Sequence, residues 1–233
     1  MNVLALDTCF PALSVAVGSS LASSHARVLS RTEPMATGHA ERLLPLIGSL
    51  LDEAGLVVAD IDRVVVTVGP GSFTGTRIGI AAARAFKLAR HMALVPITSL
   101  EAIALSPLIA AAPGEDVVVA VDAHRGEAYV QVFDAEARQS SGPPRLLALS
   151  DLASLQRGRP VLAIGTAAGA VAEAINASGG KARAQPDMIF PDMAAAVIWA
   201  ATREPVTAPI EPLYLRPPDA KPQEGKSLER AGA

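Results

Sequence analysis

The sequence predicts an α/β protein of two lobes built on one plan. Continuous apolar runs of strand length alternate with longer segments of helical periodicity. A strand–Asp–turn–strand pattern occurs twice: VLALDTCFPALSVAV (3–17) aligns without a gap on VVAVDAHRGEAYVQV (118–132), 115 residues later. Half of the 233 residues are apolar but only 3% are aromatic, so a large core of Ala, Val and Leu can form by close approach of backbones.

VLALDT (3–8) is an apolar run suited to a strand buried on both faces. CFP makes a turn, and ALSVAVG (12–18) alternates as a returning strand. LASSHARVLS (21–30) reads as a third, more polar strand. In GHAERLLPLIGSLLDEAG (38–55), Leu43, Leu46, Ile47, Leu50 and Ala54 follow helical spacing and Gly55 is a natural stop. Leu44 and Leu51 lie off that stripe, so the helix is apolar over a wider arc than burial on one sheet requires. Pro45 should kink it or end its first turn. IDRVVVTVG (61–69) is a strand, followed by the glycine-rich GPGSFTGTRIG (69–79) and a helix to about Arg90. Residues 93–113 hold a short strand and an Ala/Leu helix. After the second hairpin come a polar loop (134–145), a strand at VLAIGT (161–166), a helix ending on Gly179–Gly180 and a last helix, MAAAVIWAATRE (193–204). The end beyond Pro217 is rich in Pro and charge and reads as disordered.

The net charge of −3 supplies no global field for a polyanion. Cys9 is the single cysteine, which excludes an intramolecular disulfide and reads as a small core or turn residue. The start MNVLALDT has no basic n-region, and no apolar run reaches about 18 residues, so a soluble cytoplasmic protein is expected.

The glycine stretch has the strand–turn–helix layout that cradles phosphate. It fails the Walker pattern because Thr76-Arg77 follow Gly75 where Lys-Ser/Thr should stand. It misses G-x-G-x-x-G by one residue, and Ser72 directly after Gly71 excludes a G-x-S-x-G elbow. Free amides at a helix start still suit an anion, which makes Asp7, Thr8, Gly71 and Ser72 weak anion or nucleotide candidates. Pro70 and Gly71 making a turn, with Ser72 or Thr74 as helix cap, is the plainer reading. Asp7 and Asp122 end equivalent strands. They either hold a phosphate-bound magnesium ion across a cleft or each cap a turn, the latter favoured for each alone. The four histidines lack metal-ligand spacing, and His124 reads as a solvated turn residue. Gly75, Gly79 and Ala83 recur every four residues, with Ala82 beside them. The ridge faces the sheet, the first helix or another chain, flanked by Ile78 and Phe86.

Together LALDT with its hairpin, GHAERLLPLI, VGPGSFTGTRIGIAAARAFKLA, VDAHRGEAYVQVF and EPLYLR resemble the bacterial TsaB (YeaZ) family, in order from the start to about residue 216. The resemblance implies an actin/Hsp70-like (ASKHA) fold with duplicated βββαβα units, lobes at 1–110 and 111–216, the second reduced, and a tail at 217–233. It implies a non-catalytic subunit in the making of N6-threonylcarbamoyladenosine at tRNA position 37. Such a subunit binds the transferase TsaD, acts with the ATPase TsaE, and self-pairs as a homodimer in isolation. It meets tRNA only through the complex and has no cofactor of its own, ATP and metal belonging to its partners. TsaD-like chains carry a metal-binding H-x-x-x-H where this chain has SLEAI (99–103), and Ser99 and Ile103 cannot replace imidazole. On this reading the two first-lobe helices form the contact. Its candidates are Leu43, Leu46, Ile47 and Leu50 on one helix and Gly75, Ile78, Gly79, Ala82, Ala83 and Phe86 on the other. An ATP-binding hydrolase or kinase of the same fold, or a peptidase, are the alternatives. They lack a phosphate lysine, and a metal cluster or activated nucleophile, respectively.

Overall fold

The structure is a computed structural model describing residues 1–134, 139–185 and 190–216. The expected tail at 217–233 lies outside the described residues. Two five-stranded sheets carry the chain. The first is formed by β1 (Val3–Phe10), β2 (Ala12–Ser19), β3 (Arg27–Pro34), β4 (Arg63–Thr67) and β5 (Ala93–Ile97), in the order β3-β2-β1-β4-β5. The second is formed by β6 (Asp116–Asp122), β7 (Glu127–Asp134), β8 (Arg145–Ala148), β9 (Val161–Ile164) and β10 (Ala182–Gln185), in the order β10-β9-β6-β7-β8. Read from the hairpin outward, the two orders are identical, so the duplication seen in one hairpin extends to both sheets. In each, a central strand pairs antiparallel with its hairpin partner and parallel with the strand that follows the first crossover. Together they form the actin/Hsp70-like plan.

The helices follow the same plan. α1 (His39–Ala54) joins β3 to β4, where the second lobe has only a 3₁₀ segment at Leu149–Leu155. α2 (Phe73–Arg90) corresponds to α4 (Ala168–Ala177). α3 (Ser99–Ala104) follows β5 as α5 (Met193–Ala200) follows β10. Replacement of a 16-residue helix by a single 3₁₀ stretch is the physical reduction of the second lobe.

β1 is buried at every residue because helices cover both of its faces. One face meets α1 and α2 through Leu4, Leu6, Leu43, Leu46, Leu50 and Ile80. The other carries Val3 and Ala5 and meets Met193, Ala196 and Val197 of α5. α3 in turn packs on the second sheet, where Leu100 and Ile103 join Val119, Phe133 and Leu162. Each lobe thus lends its last helix to the other. The division by sequence at residue 110 is therefore not a division of the cores.

Several boundaries differ from the sequence reading. The third strand begins at Arg27, and residues 20–25 form a turn fastened by Leu21 N–H to the Met1 carbonyl. Polar spacing without an apolar alternation had hidden that start. The Ala/Leu helix after β5 ends at Ala104, where Ser106 and Pro107 interrupt it. Its start is firm: Thr98 accepts from the Glu101 amide while the Glu101 carboxylate accepts from Thr98 N–H. Pro45 sits inside α1, which continues unbroken to Gly55. β8 and β10, four residues each, carry no readable signal.

After α5 the chain returns to the first lobe as a strap. Val206 pairs antiparallel with Leu94 on the edge of β5, and Leu213 N–H donates to the Val68 carbonyl at 2.7 Å. Arg216 then reaches the second lobe, donating to the Ala123 carbonyl and to Glu127 on the β6–β7 hairpin.

Candidate docking face and the closed cleft

The glycine stretch caps α2 and packs onto the end of β1. Ser72 Oγ accepts from the Gly75 amide, so of the two expected candidates, Ser72 and Thr74, it is Ser72 that caps the helix. Ser72 N–H donates to the Cys9 carbonyl at 2.7 Å, and Thr76 N–H donates to the Ser72 carbonyl. These amides are thereby consumed within the chain. Gly71 and Gly75 lie so close to Cys9 and Thr8 that a Cβ on either would overlap a backbone carbonyl oxygen. A Cβ on Gly79 would stand 2.7 Å from Thr8 Oγ1. Thr8 Oγ1 itself donates to the Gly75 carbonyl at 2.6 Å.

Two sets of candidates are corrected by this geometry. Asp7 and Thr8 are sealed, at 0% and 1% exposed, beneath the loop that was to hold an anion with them. Gly71 and Ser72 spend their contacts on Cys9 and Gly75. The small ridge of Gly75, Gly79 and Ala83 is buried against β1 and β4 and is closed to a second chain. Glycine is required there because helix and strand backbones approach within the radius of a methyl group.

Asp7 and Asp122 share one local structure and differ in environment. Asp7 Oδ1 accepts from the Cys9 amide, and Asp122 Oδ1 accepts from the His124 amide, the same i to i+2 turn. The capping reading holds for both. Asp7 Oδ1 also accepts from Thr67 Oγ1 at 2.6 Å, whereas Oδ2 has no hydrogen-bond partner among the described residues. Burial pushes the Asp7 carboxyl up to about 6, against the opposing pull of the Thr67 hydrogen bond. Burial, with Asp7 beside it, pushes the Cys9 thiol up to about 12, and at 1% exposed Cys9 is a core residue, as its sequence context suggested. Asp122 is exposed, with His124 beside it in the hairpin turn. Ser99 and Ile103 are fully buried beside this region. Among the described residues no three His, Cys, Asp or Glu side chains cluster as metal ligands.

The apolar surface left open lies elsewhere on the same two helices. Leu43, Leu46, Ile47 and Leu50 are 0–2% exposed in the chain's own core, which corrects their assignment as contact residues. They are the stripe that β1 and β2 demand. Leu51 is buried as well, and the surplus is Leu44, 61% exposed. The opposite edge of α1 is polar and tied to β3, through Arg42–Glu33 and Arg31–Glu53. Leu44 therefore lies on the edge that faces α2. On α2, Gly75, Gly79 and Ala83 point inward, so a rotation of half a turn brings Ala81, Ala85 and Leu88 outward; all three are exposed, Leu88 at 84%. Ile78, Ala82 and Phe86 are half-buried at the seam between the two helices. The result is a smooth face of alanines with Leu44 and Leu88 standing on it. Sequence reading missed Ala81, Ala85 and Leu88. The phase of the glycine ridge was the signal for them, once that ridge is known to face the sheet.

Comparison with known proteins places the chain. Residues 32–206 match the family model described as TsaD, tRNA N6-adenosine threonylcarbamoyltransferase. An uncharacterised protein of Mycobacterium tuberculosis is 36% identical over 224 residues, covering 95% of this chain and 94% of the relative. The tRNA threonylcarbamoyladenosine biosynthesis protein TsaB of Haemophilus influenzae is 33% identical over 143 residues, 61% of this chain and 58% of the relative. The solved YeaZ structure from Pseudomonas aeruginosa superposes with a TM-score of 0.74 at 28% identity, covering 92% of this chain and 99% of that one. The chain belongs to the family that the TsaD model describes, and within it to the TsaB (YeaZ) group.

Proposed function

We propose that this chain is a non-catalytic subunit of tRNA threonylcarbamoyladenosine synthesis, docking a TsaD-type transferase through the alanine face of α1 and α2. The observation that carries the reading is the uncovered face itself: Leu44, Ala81, Ala85 and Leu88 exposed beside half-buried Ile78, Ala82 and Phe86. Small residues on a helix pair let a partner's helices approach closely, and Leu44 and Leu88 supply anchors. The sealed region over Asp7 supports a role without chemistry of its own, with ATP and metal held by TsaD and TsaE. The same face serves self-pairing of the free chain, since two copies can bury their alanine faces against each other. Action in the cytoplasm follows from the substrate. Among the described residues no helix is long and apolar enough to cross a membrane.

The test is a mixture of the purified chain with TsaD, read as a 1:1 complex by size exclusion with light scattering. Synthesis of threonylcarbamoyladenosine is then measured with and without the chain. Ala85→Asp buries an unpaired carboxylate in the contact at a cost of about 3 kcal/mol, which weakens binding more than about 100-fold. It leaves the melting temperature of the free chain unchanged because position 85 is exposed. A complex formed equally well by the variant rejects this face.

A further inference from the structure

Resting on that reading, we infer that the edge of α2 beside the docking face is an RNA-backbone contact that engages the tRNA held by the partner. The helix has four Lys or Arg residues and no Asp or Glu in its 18 positions, within a chain whose net charge is −3. Lys87 and Arg90 in its last turn also complement the helix dipole, but Arg77 and Arg84 do not lie there. Its first turn has no acid, so nothing along the helix offsets the positive field.

The placement of these groups is specific. Arg77, Arg84 and Lys87 line the side of α2 that faces the strap, where they donate to Tyr214 Oη, the Ile210 carbonyl and the Thr207 carbonyl. A carbonyl neutralises no charge, so each cation remains available to a phosphate. The strap from Val206 to Arg216 brings one acid, Glu211. A recess of about 410 Å³ opens at this edge, and its lining includes Arg84, Lys87 and His91 but no acid. From Arg77 to His91 the edge runs about 20 Å at 1.5 Å per residue, the reach of a few consecutive phosphates.

The N-terminal end of the edge adds a stacking platform. Phe73 and Tyr214 lie with ring centroids 5.2 Å apart and planes 28° from parallel. The Arg77 guanidinium sits 3.8 Å from the Phe73 centroid and is held by Tyr214 Oη at 2.8 Å. Both rings are more than 40% exposed, so a rigid arginine–aromatic pair is presented to solvent. Bases stack on such pairs without sequence preference, while the neighbouring cations hold the backbone. An acidic protein surface would be met by the cations but gives the rings no role, so the observations favour RNA.

The experiment compares wild type with Arg84→Glu/Lys87→Glu, the two edge cations that line the recess, and with Phe73→Ala. Each is tested as the full chain alone and mixed with TsaD, against an unmodified tRNA transcript over a salt series. Melting curves and the TsaD pull-down are run in parallel. For the charge reversal, tRNA affinity at 0.1 M salt falls about tenfold or more, and the slope of log affinity against log salt becomes shallower by about 1.5, two phosphate contacts being lost. Phe73→Ala weakens binding about five- to tenfold with the slope unchanged, one stacking contact being lost. Affinity and slope that do not move in either setting overturn the inference. So does loss of the TsaD complex by the charge-reversed chain with its fold intact, since the edge is then a protein contact. If wild type forms no complex with TsaD while its own tRNA binding still falls on charge reversal, the edge stands and the docking proposal fails. If wild type neither joins TsaD nor binds tRNA, both fail.

Discussion

Replacing Gly75 with alanine adds one methyl group at the tightest helix–strand contact in the first lobe. A Cβ there overlaps the Thr8 carbonyl oxygen, with the carbonyl carbon at 3.1 Å and Ser72 Cβ at 3.2 Å. No rotamer change relieves this, because the colliding atoms are backbone. α2 must move away from β1 or tilt. Overpacking of this kind costs about 1–3 kcal/mol, and stretching the Thr8 Oγ1 bond to the Gly75 carbonyl adds about 1 kcal/mol. The gain in helix propensity returns at most about 1 kcal/mol. The net expectation is a loss of about 1–3 kcal/mol, a fall in melting temperature of about 2–12 °C for a chain of this size. Gly48→Ala is the internal control. Gly48 lies within α1, and a Cβ there meets nothing within 4 Å. That change stabilises the protein by about 1 kcal/mol. Both are measured by urea unfolding, followed by circular dichroism. Gly75→Ala equal to wild type, or more stable, refutes the claim that this glycine exists for packing on β1. It would return the ridge to the list of surfaces free for a partner.

Asp7 binds its proton more tightly in the folded chain than at its ordinary value of 3.8, so folding is favoured while it is protonated, and that advantage is lost as pH rises from about 4 to about 6. Asp7→Asn removes the titration, and across that window its stability relative to wild type rises by about 3 kcal/mol; parallel curves in urea titrations at pH 4 and pH 7.5 contradict the burial argument. Cys9 is 1% exposed with its thiol pushed up to about 12, so a thiol reagent at pH 8 modifies it only at the rate of unfolding; rapid labelling of the native chain refutes its placement. Arg216→Ala removes the donors to Ala123 and Glu127 and lowers stability by about 1–3 kcal/mol. Amide exchange in the β6–β7 turn should quicken while that of β1 stays fixed; an unchanged turn shows that the strap does not restrain it.

Much of the architecture was legible because it is written in local stereochemistry. The period-two pattern of ALSVAV fixed its hairpin with VLALD, and the register Asp7 to Ser14 follows from that pleat. The same pattern 115 residues on gave the second hairpin, with Asp122 against Ala128. The pair Ser72 and Thr74 marked the start of α2 to within two residues, and Gly55 announced the end of α1. The site was less legible. Leu44 was visible as an outlier, but Leu43 and Leu46 differ from it only in which way the helix is turned.

The sequence by itself determined the two hairpins, the stop of α1 at Gly55, the repeat and the family, because each depends on residues within a few positions of one another or on their order. Only the tertiary structure decided which way the two helices face. An apolar arc wider than its sheet can be rotated over a range of phases, and the choice is made by the partner it meets: for α2, the Thr8 backbone, which admits glycine and nothing larger. That single contact turns Gly75 and Gly79 inward and leaves Ala81, Ala85 and Leu88 to the outside. Likewise two aspartates with the same turn were separated by what covers them. The glycine loop lies over Asp7, whereas Asp122 stays exposed in the β6–β7 turn, because burial is a property of the neighbours that long-range folding brings.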